Sequence, residues 1–127
     1  MRLPMLAAVA IAGAALAMPA RAQMFGDEYR TCQELPGDPA VMACLEAKTK
    51  IWSQRLTTAL RDLAKRMDKG QHAPLAEAQR AWARYRDANC RFYEARDGSI
   101  SKLHVLECRR AMTEARALEI GKAMTGD

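Results

Sequence analysis

Hydrophobic residues recur at helical intervals after the turn sequence LPGDP (35–39). Seven apolar residues follow one another at spacings of three, four and seven: Val41, Leu45, Trp52, Leu56, Ala59, Leu63 and Met67. This spacing places them on one buried face of a helix. Asp38 is placed to cap that helix, and Pro39 suits its first position. The pattern predicts a helix over about residues 39–68.

A second helix is predicted after the break KGQHAP (69–74). Gly70 is typical of a helix stop, and Pro74 is typical of a first helical turn. The second helix should therefore run over about residues 74–96.

The sequence DGS (97–99) precedes a third predicted helix, over about residues 102–123. Gly98 suits a left-handed exit from the second helix, and Ser99 or Ser101 suits a cap for the third. The residues near one face of this third helix are Val105, Cys108, Met112, Ala115 and Ala123.

The predicted fold class is all-α, because no stretch alternates between apolar and polar residues as a strand would. Three amphipathic helices with short connections predict an antiparallel three-helix bundle, since each apolar stripe needs a partner surface. Residues 23–37 lack a firm period, so an irregular arm is expected there, with a brief helix near Asp27–Thr31 as the alternative. Residues 23–127 are then a single helical domain.

The N-terminus has the features of a secretory signal peptide over residues 1–22. Arg2 precedes the apolar run LPMLAAVAIAGAALA (3–17), and ARA (20–22) has the small-x-small form of a cleavage site. The predicted cut follows Ala22. The run is short for a membrane span, which takes about 20 apolar residues, although a retained anchor is the alternative. The residue directly after the cut is Gln23 and not a cysteine that could carry a lipid, so we expect a protein without a stable membrane anchor, periplasmic or secreted.

The charge of the chain is mildly basic, with a formal net charge of +5. Without Arg2 and Arg21, 18 basic and 15 acidic residues remain. They are spread along the chain, whereas a nucleic-acid partner would require a concentrated basic face. No nucleic acid is therefore expected as a partner, and the sequence does not indicate the oligomeric state.

The four cysteines, Cys32, Cys44, Cys90 and Cys108, all lie after the predicted cut. An even number of cysteines in an exported chain predicts two disulfides. Three pairings are conceivable, and the two local ones, Cys32–Cys44 and Cys90–Cys108, are favoured because each ties a segment to its neighbour. Each would stabilise the fold by about 3 kcal/mol in the chain-entropy model.

Metal binding and catalysis find little support in the residue pattern. Zinc is the rival use for the cysteines, but no C-x-x-C occurs and only His72 and His104 could join them. No Ser, His and carboxylate grouping has a catalytic spacing, and no pair of acids is singled out for glycosidase-type chemistry. We expect no catalytic residue, metal or cofactor, and an enzyme acting on cell-wall material ranks third among the hypotheses.

The second helix has two distinct faces. Its expected solvent-facing side lies opposite Trp82 and carries Arg80, Arg84, Asp87 and Arg91. The apolar side also carries three polar residues that need partners if buried: Gln79, Arg86 and Asn89.

Arg86 is the polar residue on this apolar side with the most open role. It can stack on Trp82 or Tyr93, and Glu119 of the third helix is a candidate partner for its charge. Two interpretations remain: a structural polar network between helices, or a partly open site that binds a carboxylate.

Two spaced motifs suggest a family. The first, L-x3-Q-x2-W-x3-R-D-x2-C, is formed by Leu75, Gln79, Trp82, Arg86, Asp87 and Cys90. The second, C-x4-T-x2-R, follows Gly98 and Ser99 and is formed by Cys108, Thr113 and Arg116. By position alone, Thr113 and Arg116 look like surface residues of the third helix. Together the motifs resemble the lysozyme-inhibitor LprI-like family of small exported bacterial proteins.

The resemblance implies a helical, disulfide-bonded exported domain that binds lysozyme and blocks its cleft. Because that cleft holds a carboxylate pair, a protruding cation or hydroxyl could plug it. The loop Asp97–Lys102 is the candidate, with Ser99, Ser101 and Lys102 as contacts, and Arg86 is a further candidate partner-binding residue. The alternative is a periplasmic structural or adaptor protein that binds another envelope component and has no effect on lysozyme. Leu103 and Leu106 point away from Cys108 and indicate an exposed apolar patch that would suit either kind of binding.

Overall fold

The computed structural model describes residues 23–95 and 98–126. Over these residues the chain forms four helices and no strands: α1 (Asp27–Gln33), α2 (Asp38–Ala64), α3 (Lys69–Arg91) and α4 (Ser99–Thr125). The all-helical class predicted from the sequence is therefore confirmed. The predicted signal peptide and its cut after Ala22 lie outside the described residues. Each of the four helices falls short of the length or the apolar content that crossing a membrane requires.

The most extensive helix–helix contact joins α2 and α4. Near their first turns, Val41 and Leu45 of α2 pack with Leu103 of α4. Near their last turns, Leu56 packs with Ile120. The two helices therefore run in the same direction and enclose two apolar clusters along their length. The seven-residue stripe predicted for α2 supplies this contact, since its first five members are all buried.

Helix α3 runs in the opposite direction and is attached far more loosely. Cys90 is its one buried residue, while Leu75 and Trp82 are partly buried against the second apolar cluster. The contact between α3 and α4 is much less extensive than the contact between α2 and α4. A bundle of three equally packed helices is therefore not established; the main unit is the α2–α4 pair, with α3 laid against it.

Helix α3 begins five residues before the position predicted from Pro74. Asp68 is its N-cap, and the Asp68 N–H donates to Gln71 Oε1 at 3.0 Å, which is half of a capping box. Pro74 lies about one and a half turns into the helix. Its missing N–H leaves the Gly70 carbonyl without its helical hydrogen bond, and this is tolerated because Gly70 is exposed and has open space around it. The prediction failed because Pro74 was taken as the start signal in preference to Asp68.

Helix α4 begins at Ser99, three residues earlier than predicted. Gly98 precedes it with a φ of +94°, a conformation that favours glycine. Neither serine caps a backbone N–H; instead Ser101 Oγ donates to the Gly98 carbonyl at 2.9 Å. The predicted face was also partly wrong, because Ala115 and Ala123 are exposed. Helix α4 is buried on most sides, since it lies between the other helices.

The segment expected as an irregular arm contains helix α1, so the alternative of a brief helix there was the better one. Tyr29 and Cys32 of α1 are buried with Val41 and Leu45 of α2. The Cys32–Cys44 disulfide joins the two helices, with 5.6 Å between the Cα atoms. Cys90–Cys108 joins α3 to α4 in the same way. Both predicted pairings are confirmed.

We predict that the Cys90–Cys108 bond, and not the Cys32–Cys44 bond, holds α3 against α4. Replacing both cysteines of the α3–α4 bond by alanine should lower the free energy of unfolding by about 3 kcal/mol, because that bond closes a loop of 18 residues. In this variant, the rate of amide hydrogen exchange should increase more throughout α3 than in α2, because α3 buries so little apolar surface. The matched control, C32A/C44A, should lose stability but leave exchange in α3 unchanged. Equal exchange in α2 and α3 of the first variant would contradict this.

Candidate partner-binding site

A fully buried arginine lies at the centre of the most polar region of the molecule. The side chain of Arg110 on α4 is 1% exposed, and that of Glu107, one turn before it, is 0% exposed. Arg110 Nε and Nη2 donate to the two carboxylate oxygens of Glu107 at 2.7 and 2.9 Å. This two-pronged contact is the strongest geometry available to an arginine and a carboxylate.

The remaining donors of Arg110 reach two other carboxylates. Nη1 donates to Glu28 on α1 at 2.6 Å and to Glu114 on α4 at 2.7 Å. Glu28 also accepts from Trp52 Nε1 of α2 at 2.9 Å. We call Glu28, Glu107, Arg110 and Glu114 the Arg110 cluster. Through it, α1, α2 and α4 share one set of charged hydrogen bonds.

The Arg110 cluster also holds the segment before α1. Arg110 Nη2 donates to the Gln23 carbonyl at 3.3 Å, and the Phe25 N–H donates to Glu107 Oε1 at 2.8 Å. Phe25 has a φ of +62°, which is costly for a residue with a side chain. The hydrogen bond to a buried carboxylate compensates for this conformation.

The charge state of Arg110 is secure. Burial acts to lower the pKa of its guanidinium, but the hydrogen bonds and negative charges of Glu107 and Glu114 outweigh burial and hold that pKa above its ordinary value. Burial, together with the charges of Glu107 and Asp38, raises the pKa of the Tyr29 hydroxyl. Both groups therefore keep their ordinary protonation state at neutral pH.

A shallow polar cleft of about 330 Å³ opens beside the Arg110 cluster. Its lining includes Asp27, Glu28, Arg30 and Glu114. Asp27 pairs with Arg30, and the other two acids are engaged by Arg110. Within residues 23–95 and 98–126, no group of three or more His, Cys, Asp or Glu side chains is arranged to hold a metal ion.

Reasoning from the sequence did not single out Arg110, although a signal was present. Leu103, Glu107, Arg110, Glu114 and Ala117 are spaced four, three, four and three, so they share one face of α4. Acids on both sides of an arginine, on a stripe that begins and ends with apolar residues, indicate a buried and matched charge. That pattern could have identified the cluster.

The motif residues of α3 and α4 meet, but in different pairs from those expected. Arg116 Nε donates to Gln79 Oε1 at 3.0 Å, which links the two helices. Arg116 also pairs with Glu119 at 2.9 Å, so Glu119 serves Arg116 in place of Arg86. Arg116 is buried, and Thr113 is fully buried with its hydroxyl donating to the Arg109 carbonyl at 2.7 Å. The expectation that both are surface residues was wrong, because α4 is enclosed on more sides than its apolar pattern indicated.

Arg86 lies over the ring of Trp82, with its guanidinium carbon 5.0 Å from the ring centre. Its charge is taken up by the adjacent Asp87, whose Oδ1 lies 3.0 Å from both Nε and Nη2. Asp87 was expected to be a solvated charge near Arg84 and Arg91; its side chain is 46% exposed, but its partner is Arg86. Asn89, expected on the apolar side, is exposed.

The residues proposed as a plug belong to the first turn of α4, not to a loop. Ser99 and Lys102 are exposed, whereas Ser101 is buried. Asp97 lies outside the described residues. Leu103 is buried in the first apolar cluster and Leu106 packs against it, so these two do not form the exposed patch that was expected. The structure thus leaves Ser99 and Lys102 accessible, and Arg86 about one-quarter exposed.

We predict that Arg110 and Glu107 matter to stability mainly as a pair. Arg110→Leu should lower the free energy of unfolding by about 3–5 kcal/mol, because it leaves the Glu107 carboxylate buried without a cation. The double variant E107L/R110L should recover much of that loss, as measured by urea denaturation. An exposed arginine on α2 supplies the control: Arg61→Leu should cost less than about 1 kcal/mol. A double variant as unstable as the sum of both single variants would contradict the pairing.

The comparisons with known proteins agree with the motifs in α3 and α4. No curated protein and no solved structure matches the chain. The family model described as lysozyme inhibitor LprI matches residues 32–120. The match extends from Cys32 in α1 to Ile120 in α4, and so includes all four cysteines, Gln79, Arg110 and Arg116. Because it covers well over half of the chain, this protein belongs to the lysozyme inhibitor LprI family.

Proposed function

We propose that this protein is an exported inhibitor that binds lysozyme by protein–protein contact and performs no catalysis itself. The observation that carries the proposal is the family match over residues 32–120, which spans the disulfide-bonded unit. The family is described as an inhibitor, and inhibition by occupation of a cleft requires a rigid surface and no catalytic group.

The rigidity of the described unit supports this function. The Cys32–Cys44 bond and the Arg110 cluster fix α1 on the α2–α4 pair, and the Cys90–Cys108 bond ties the end of the more loosely packed α3 to α4, so the conformational freedom lost when a partner binds is limited. A preorganised surface of this kind suits tight binding to a second folded protein.

The proposal is tested by measuring lysozyme activity on a suspension of bacterial cells. We expect the chain beginning at Gln23 to slow the fall in turbidity in a dose-dependent way, with saturation near one inhibitor per lysozyme, for at least one structural class of lysozyme. The control is the same protein reduced and alkylated, which should be inactive because its surface is no longer held together. Undiminished lysis at large molar excess over every lysozyme tested would overturn the proposal and favour the alternative of an envelope adaptor.

Lys102 is tested as a contact at the start of α4. If it lies in the interface, Lys102→Ala should weaken inhibition about fivefold, equivalent to about 1 kcal/mol. Lys50→Ala, which removes another exposed lysine, from α2, is the matched control and should leave inhibition unchanged. Equal inhibition by both variants would remove Lys102 from the interface.

Arg86 is tested by separating folding from binding. Arg86→Ala should lower the melting temperature, because it removes a stacked side chain from Trp82 and the partner of Asp87. Inhibition should persist in the folded fraction. If stability were unchanged and inhibition were lost, Arg86 would instead be a contact with the partner.

A further inference from the structure

Helix α3 presents an apolar stripe that none of the described residues covers. Of the large apolar side chains in the described part of the chain, Phe92 and Tyr85 are the most exposed, at 69% and 61%. Phe92 is the C-cap residue of α3 and keeps a helical backbone, so these two residues, seven apart, lie within about 20° of each other around the helix axis. Three exposed alanines continue the same face, and with the two rings they form what we call the outer stripe: Ala78, Ala81, Tyr85, Ala88 and Phe92.

The spacing of the outer stripe is that of a contact face. Its members follow one another at intervals of three, four, three and four, which is the spacing of residues that meet a partner along one side of a helix. The two exposed rings, more than the alanines, mark this side as a contact face, because alanine is a strong helix former and is common on solvated helix faces. The packed edge of α3, with Leu75, Trp82 and Cys90, lies on one side of the outer stripe, about 60–140° around the helix from Tyr85.

The opposite edge of the outer stripe is basic. Arg80, Arg84 and Arg91 are all exposed and lie about 100–140° from Tyr85 on the side away from the core. One exposed acid, Glu77, lies on this same edge, about 80° from Tyr85, and the other acid of α3, Asp87, is engaged by Arg86, so the three arginines leave the edge with a net positive charge. The surface therefore combines an apolar centre with a positively charged rim.

This charge pattern favours an acidic partner over a second copy of the chain. Two such faces brought together would oppose three arginines with three arginines and offer one free acid each, and like charges in an interface cost free energy. An occupant with carboxylates beside an apolar or sugar-binding surface has the complementary chemistry.

We propose that the outer stripe and its arginine edge are the face that enters the substrate cleft of lysozyme. This inference rests on the proposed function. A glycosidase cleft of this kind binds sugar rings and carries two catalytic carboxylates. The rings of Tyr85 and Phe92 occupy the sugar-binding walls, and Arg84 or Arg91 pairs with the carboxylates. Tyrosine and arginine are also the residue types that most often carry the binding energy of interfaces.

The experiment measures inhibition, direct binding and competition by a cleft ligand. The variants are Y85A/F92A, which removes both rings, and Arg84→Glu, which reverses one charge of the rim. Exposed residues of α2 supply matched controls: Ile51→Ala for the apolar change and Lys50→Glu for the charge reversal. All four variants should keep the melting temperature of the parent within a few degrees, because the side chains are exposed.

We expect Y85A/F92A to raise the inhibition constant at least about 30-fold and Arg84→Glu at least about tenfold, and the α2 controls to change it less than about twofold. Chitotriose, a saccharide that occupies the cleft, should compete with the inhibitor in calorimetric titrations. Binding should weaken as salt rises, because arginine–carboxylate pairs form at the rim.

Each departure from these results has a distinct meaning. If the parent protein does not inhibit any lysozyme, the proposed function fails and this inference fails with it. If the parent inhibits and both α3 variants inhibit equally well, the function stands and the α3 face is wrong. Calorimetric binding of the parent protein to lysozyme that is unaffected by chitotriose would overturn the cleft as the site that this face enters. If the parent forms concentration-dependent dimers that Y85A/F92A abolishes while inhibition persists, the face belongs to a contact with a second copy. If the parent binds anionic lipid vesicles and Y85A/F92A abolishes that binding while inhibition persists, the face belongs to a membrane contact.

Discussion

A buried guanidinium must be surrounded by acceptors, and this requirement organises the described fold. Arg110 cannot be removed from water without matched charges, so Glu107, Glu114 and Glu28 have to converge on it. Glu28 can do so only if α1 lies across α2 and α4 in one orientation. Apolar packing between α2 and α4 tolerates small shifts, whereas this set of directed hydrogen bonds does not. The position of α1 therefore depends on the Arg110 cluster together with its own buried apolar residues and the Cys32–Cys44 bond.

Elements with a strong apolar period were predictable, and elements set by caps were not. Helix α2 follows from the stripe that begins at Val41, because burial of that face dominates its energetics. The start of α3 did not follow, since Pro74 is a conspicuous signal and the bond between the Asp68 N–H and the Gln71 side chain is a weak one. Helix α1 is shorter than an isolated helix can be, and its existence depends on the Cys32–Cys44 bond and on Glu28.

The buried polar residues were the hardest part of the site to predict. Charged and hydroxyl-bearing residues on a helix are most often solvated. Arg116 and Thr113 were therefore expected at the surface, and Arg110 was not singled out. Whether a charge is buried depends on what the other helices place against it, and this information is not local in the sequence. Gln79 illustrates the same limit, because its need for a partner was clear while the identity of that partner, Arg116, was not.

Because α3 is loosely attached, the residues that stabilise the fold are largely different from the residues that we propose for partner binding. Nearly all of the core belongs to α1, α2 and α4, and α3 contributes Cys90 and the two apolar side chains that pack against the second cluster, Leu75 and Trp82. Substitutions on the outer stripe therefore carry little folding cost, since nothing in the described core rests on them. Such a face can change its recognition residue by residue while the scaffold stays intact. The fold thus allows related chains to diverge in what they bind without first having to become more stable.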